Sequence, residues 1–358
     1  MAMIDVDAGA VAAADPSGML AAVLRLPEDC ERGYEVGRSA ERLPSGEGLT
    51  GLVVCGMGGS GVVGDVAHAL YRPRLGIPVA VVKGSELPEF CGKDTLVMCS
   101  SYSGDTAETL ACFEEAAARG CRVIALTSGG RLAGRAEEEG VPVVGVPGGF
   151  PMPRAAIAVL VFGALGALER VGVIPPEEGD VAGTVEALRA LRSEIGPDRP
   201  LEANRAKRLA EGLEGRFPVV WGADGIGAVA ATRWKTELNE NAKVPAFASA
   251  LPELDHNEVV GWSEGMGERF ALVTLRHDEE PPDVAARFEA SVEVVLGSGL
   301  AHQEVRAEGG SPLARLMWLV MVGGATSVYL GIGRGVDPTP IDAIARLKAV
   351  LAGAEGEP

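Results

Sequence analysis

Aromatic side chains are scarce, with Phe, Trp and Tyr together making up 4% of 358 residues. Surfaces that stack nucleobases or polysaccharide rings need several such rings, so those ligands are poor fits. Basic residues are outnumbered too, with 32 Lys and Arg against 50 Asp and Glu and a formal charge of −18. A nucleic-acid backbone demands a basic surface, so no nucleic-acid partner is expected. A small anionic substrate stays possible, because it feels the local field of its pocket rather than the global charge. No apolar run reads as long enough to span a bilayer, since Gly, Pro or a charge interrupts each one, and no membrane partner is expected. The opening residues, MAMIDVDAGAVAAADPSG, carry early acids and lack the basic stretch that starts a secretory signal. The six cysteines (Cys30, Cys55, Cys91, Cys99, Cys112 and Cys121) form no C-x-x-C pair. Cys55 and Cys99 fall in apolar runs where cysteine behaves as a small hydrophobe, and reduced thiols in the cytoplasm are the expected state.

What is present is a globular balance, 47% hydrophobic and 23% charged, with a length that suggests two domains. The first half alternates strand and helix. GLVVCG (51–56), IPVAVVKG (77–84), DTLVMCSS (94–101), CRVIALTSGG (121–130) and VPVVGVPGG (141–149) read as strands. Helical stretches such as DTAETLACFEEAAARG lie between them, so the sheet should be mainly parallel with helices on both faces. The second half echoes the first. FPVVWGADGIG (217–227) follows LVVCGMGGSG, with Gly227 matching Gly61, and FALVTLRHD (270–278) follows DTLVMCSS. GGSPLARLMWLVMVGGATSVYLGIG (309–333) follows GGFPMPRAAIAVLVFGALGALERVG (148–172), with Arg315 opposite Arg154. Three echoes in one order imply an internal duplication. The expected fold is α/β: two three-layer αβα domains with mainly parallel five-stranded sheets. Their boundaries are read at 1–172, with a helical segment over 1–48, and at 215–358, joined by a helical connector over 173–214. DPTPIDAIARLKAVLAG closes the chain as an amphipathic helix.

Two loops carry the first chemistry. GMGGSG (56–61) leaves a strand and enters a helix, where glycine lets backbone approach a ligand and free N–H groups face an anion. It lacks the Lys-Ser/Thr of a P-loop, and the next strand ends in Lys83 rather than a ribose-binding acid, so a dinucleotide fits poorly. SSYSGDTAET (100–109) also opens a helix. Ser101, Ser103 and Thr106 can converge with that helix N-terminus on one phosphate. Capping accounts for one such residue, but not for three hydroxyls beside a second glycine loop. The paired G-x-G-G-S-G and S-x-S-G-x-T loops resemble the sugar isomerase (SIS) domain, an α/β sandwich that binds phosphosugars. The matching loops of the second half, GADGIG and LRHDEEPP, have lost the hydroxyls.

Acid–base candidates cluster in RWKTELNENAKVPAFASALPELDHNEVVGW (233–262). Glu237 and Glu240 lie near a helix C-terminus, where the macrodipole raises a carboxylate pKa toward that of a base working near neutrality. Lys235 and Lys243 are possible counterweights, and a solvated helix face is the plain alternative. ELNENAK followed by PELDHNEVVGW is similar to the bifunctional phosphoglucose/phosphomannose isomerases, a family with two SIS domains. That likeness also takes in GMGGSG, SYSGDT and PMPR, and covers nearly the whole chain.

The resemblance implies interconversion of glucose 6-phosphate or mannose 6-phosphate with fructose 6-phosphate through a cis-enediol, without metal or cofactor. It implies Glu240 as the enediol base, His256 as the ring-opening group, Arg154 as the enediolate stabiliser and Lys348 as an aid to ring opening. Gly58, Gly59 and Ser60 would hold the phosphate with Ser101, Ser103 and Thr106. Thr339 would line the sugar pocket, and Asn239 and Asn241 would orient Glu240. A homodimer with its active site at the interface is implied, with His256 supplied either in cis or by the partner subunit. The alternatives are an isomerase of another sugar phosphate and a phosphosugar sensor that does not catalyse; no basic recognition helix supports the sensor. The segment around 175–205 is assigned no function.

Overall fold

GLVVC, TLVMCS and RVIALT are apolar on both faces, as strands covered on both sides must be. A computed structural model describes residues 6–262 and 267–354. Three helices open it, α1 (Ala8–Ala14), α2 (Met19–Leu24) and α3 (Leu26–Arg38). The first sheet then alternates with helices: β1 (Gly51–Cys55), α4 (Gly58–Tyr71), β2 (Val79–Val82), β3 (Thr95–Ser100), α5 (Ala107–Ala118), β4 (Arg122–Thr127), α6 (Gly130–Glu138) and β5 (Val143–Gly145). All its pairings are parallel, in the order β2-β1-β3-β4-β5. The helices α7 (Ile157–Val171), α8 (Glu178–Ile195) and α9 (Arg205–Leu213) lead to the second half. There β6 (Phe217–Ala223), α10 (Ile226–Asn241), β7 (Phe247–Leu251), α11 (Glu258–Gly261), β8 (Phe270–Arg276), α12 (Pro282–Leu296) and β9 (Ala301–Arg306) are followed by α13 (Pro312–Gly333) and α14 (Asp342–Ala354).

The second sheet is parallel with the order β7-β6-β8-β9, so it has four strands where five were expected. In the first half α6 and β5 stand between β4 and α7. In the second, residues 307–311 alone join β9 to α13, too short a run for another helix and strand. Two strands, β7 and β9, have no counterpart in the sequence reading.

Strand periodicity divides the core. Leu52 and Val54 face one cluster with Leu96 and Met98, while Val53 and Cys55 face another with Val97, Cys99 and Phe113. The first of these clusters also takes in α7, α13 and Val220 and Val273 of the second sheet, so the inner faces of both sheets share one core. Val219, Trp221 and Leu272 pack with Phe288 of α12 on the outer side. The helix α13 has the length and apolarity to cross a membrane, 22 residues with a mean hydropathy of 1.6, contrary to the sequence reading. Of its 18-residue apolar stretch 94% lies buried within the protein, and an all-round apolar helix is what a central core position requires. Cys30, Cys55, Cys91, Cys99 and Cys112 are buried, Cys121 is half-buried, and all are free thiols.

The contact of α3 with α7 brings backbone against backbone. A Cβ on Gly37 would lie 2.2 Å from the Gly163 carbonyl oxygen, and one on Gly166 would lie 2.5 Å from that of Tyr34. Only glycine permits this approach. Gly37→Val should therefore force the helices apart and cost about 1–3 kcal/mol, read as a fall of several degrees in the thermal midpoint by circular dichroism.

Candidate active site

The β1–α4 turn is built by glycine contacts. A Cβ on Gly61 would stand 2.7 Å from the Gly56 carbonyl oxygen, and Gly58 takes a φ of 51°. A Cβ on Gly59 would meet the Arg154 Cα at 3.2 Å, so the arginine backbone packs directly on the turn. Neither α4, after Met57, nor α5, after Thr106, has a side-chain cap on its first amides. Both N-termini thus keep donors for an anion.

The two loops are joined by their hydroxyls. Ser60 Oγ accepts from the Tyr102 amide at 2.9 Å, Ser101 Oγ lies 3.0 Å from Thr106 Oγ1, and the Gly104 amide donates to Ser101 Oγ at 3.1 Å. Ser60 and Ser101 are buried, whereas Ser103 is exposed and accepts from the Asp105 amide at 3.3 Å. Gly58, Gly59, Ser60, Ser101, Ser103 and Thr106 therefore occupy one neighbourhood at the C-terminal edge of the first sheet.

Arg154 carries that neighbourhood to the second half. It sits in a short 3-10 turn (Pro153–Ala156) ahead of α7 and is 4% exposed. Its Nε donates to Asn241 Oδ1 at 2.8 Å, Nη1 to Glu240 Oε2 at 3.2 Å, and Nη2 to the carbonyls of Pro338 and Thr339 at 2.7 and 3.0 Å. Asn241 thus positions the arginine rather than Glu240, and Asn239 accepts from the Ala246 amide at 3.0 Å. The adjacent Thr339 hydroxyl is buried with no hydrogen-bond partner.

The structure separates the two glutamates. Glu237 is 5% exposed and committed to an ion pair with Arg233 and a hydrogen bond from Asn241. The Glu240 side chain keeps 30% exposure. Burial raises the Glu240 pKa and Arg154 opposes the rise, so the direction matches expectation while burial, not the helix end, is the cause. Lys243 donates to the Glu240 and Pro338 carbonyls, and burial lowers its pKa.

Among the described residues no hydrogen bond or ion pair links His256 to this group within one chain. It is exposed in a 3-10 turn (Glu253–His256) after β7. The end of β7 is fixed beside the start of α10, where the Asp224 amide donates to the Leu251 carbonyl at 2.9 Å. Glu240 lies in the last turn of α10, roughly 20 Å along the helix at its usual rise. Lys348 falls on α14, and its side chain lies outside the described residues. Sequence reasoning missed Tyr102 and the Pro338 carbonyl; neither a main-chain donor nor a main-chain acceptor leaves a residue-type signal.

Comparison with known proteins gives the family. The family profile described as the bacterial phospho-glucose isomerase C-terminal SIS domain matches residues 202–351. A bifunctional phosphoglucose/phosphomannose isomerase of Caldicellulosiruptor bescii is 34% identical over 336 residues, covering 93% of this chain and 99% of the relative. The chain belongs to the bifunctional phosphoglucose/phosphomannose isomerase family. A second member of the family, from Aquifex aeolicus, is 36% identical over 304 residues, 84% of this chain and 90% of its own. The fold of the family member described here is shared with a hypothetical protein from Thermus thermophilus. That crystal structure has a TM-score of 0.76 at 18% identity, over 98% of this chain and 93% of the other.

Among the described residues no group of three or more His, Cys, Asp or Glu is placed to hold a metal ion. Arg154→Met would strip one carboxylate, one amide and two carbonyls of their donor. Guanidinium chloride unfolding should register a loss of about 3 kcal/mol, as for other broken buried pairs.

Proposed function

We propose that this protein interconverts glucose 6-phosphate and mannose 6-phosphate with fructose 6-phosphate, and that the Arg154–Glu240 pair beside two uncapped helix N-termini is the catalytic centre. The phosphate rests on the amides of Gly58, Gly59 and Ser60 and on the hydroxyls of Ser101, Ser103 and Thr106. Glu240 removes the C2 proton of the open-chain aldose, electrons move onto O1, and Arg154 stabilises the enediolate. The O2 hydroxyl proton passes to O1, and the same carboxyl returns its proton to C1 as the C2 carbonyl of the ketose forms. The C2 epimers lose their distinguishing stereocentre in the enediol, so one base serves both aldoses.

Ring opening is assigned to His256, with Lys348 assisting. Because His256 stands far from Glu240 of its own chain, it acts in the site of a second subunit. The apolar side chains on α14 support a homodimer: Ile344, Leu347, Val350 and Leu351 are 40–69% exposed, a face that a second copy would cover. The units 1–172 and 215–358, with 173–214 between them, are proposed as two SIS domains that share one site, working in the cytoplasm.

Glu240→Gln tests the base. It should still bind fructose 6-phosphate but lose turnover by about a thousandfold for both aldose phosphates, with wild-type turnover persisting in EDTA. A wild-type protein that binds without turnover would instead be a sensor. The working form of Glu240 is the carboxylate and burial raises its pKa, so kcat/KM should fall with decreasing pH above the ordinary glutamate range. The subunit exchange has its own readout. Mixing Glu240→Gln with His256→Ala chains should restore about a quarter of wild-type activity, since only mixed dimers assemble one intact site. No recovery would place both groups in one chain.

A further inference from the structure

The duplication leaves a second set of loops that isomerisation does not use. The β6–α10 turn repeats the glycine contact of the first half, a Cβ on Gly222 falling 2.1 Å from the Gly227 carbonyl oxygen. Gly225 takes a φ of 88°, and α10 begins with no side-chain cap over sixteen residues of helix. A cavity of about 840 Å³ opens in front of it, lined by Arg72, Arg74, Lys83, Asp224, His277 and Glu279. That volume suits a small metabolite.

His277 supplies a second, independent observation. It is 6% exposed, lines this cavity, and neither ring nitrogen has a hydrogen-bond partner. A buried imidazole with both nitrogens unsatisfied is costly unless something completes it. Its neighbours are otherwise committed: Glu279 pairs with Arg315 at 2.7 Å, and Arg74 with Glu177 at 3.4 Å. Arg72 pairs with Asp224 at 3.2 Å, with side chains 58% and 65% exposed. So exposed a pair is weak, and a stronger anion can displace the carboxylate.

We propose that this cavity is a second binding site, for a small phosphorylated metabolite that is held there without being isomerised. The phosphate sits on the first amides of α10 and on Arg72 released from Asp224. One His277 nitrogen donates to the phosphate, and the other accepts from a hydroxyl of the same ligand. Residue type separates this site from the first: GADGIG and LRHDEEPP carry none of the serine and threonine hydroxyls of the first pair of loops. The inference stands apart from the assignment of the catalytic centre.

Calorimetric titration of the full chain with inorganic phosphate is the test. Two phosphates should bind per chain. Asp224→Asn, at an exposed position that folding does not need, should tighten one of them about tenfold and leave isomerase turnover unchanged. His277→Ala should weaken that same site at least about tenfold. If no bound phosphate responds to Asp224→Asn and His277→Ala the proposal is overturned, whereas a single phosphate that responds to both upholds it and counts against the catalytic-site assignment alone.

Discussion

A guanidinium in the interior needs acceptors for its N–H groups, and at Arg154 they come from two separate stretches of chain while a third packs on its backbone. The glycine turn of the first half packs on its backbone, α10 offers a carboxylate and an amide, and the segment before α14 offers two carbonyls. Those stretches can be brought together only when both halves are folded and docked. One side chain therefore couples the anion-binding turn to the carboxylate of Glu240. The Arg154 carbonyl oxygen in turn accepts from Arg233, whose other partner is Glu237, so the arginine is held at both ends.

That coupling sets the character of Glu240. Desolvation pushes its proton affinity up while the neighbouring positive charge pulls it down, leaving a carboxyl more basic than one in water yet able to ionise. Glu237, one turn earlier, has the same chemistry but is spent on Arg233. Position on the helix, not residue type, separates a group free to exchange a proton from one that braces the packing.

Much of this was legible in the residues. The apolar runs of β1, β3, β4, β6 and β8 and the glycines after β1 and β6 mark buried parallel strands and tight turns, and the structure places them so. The reading failed where burial is incomplete. FASAL and AHQEVR lie at the two edges of the second sheet, so their side chains lack the continuous apolar pattern that flags a central strand. The role of Asn241 was misjudged because its partner is 87 residues away, and proximity in sequence pointed to Glu240 instead.

The shortened second sheet has a further consequence. With no counterpart of β5 beside it, β9 is a border strand whose unpaired main-chain groups could recruit any extended chain. Its sequence answers that hazard: four of its six residues, His302, Gln303, Glu304 and Arg306, are polar or charged, and Gln303 reaches across to the Leu209 carbonyl of α9 at 3.3 Å. The chain gave up a strand and left behind a polar margin that resists being extended by aggregation.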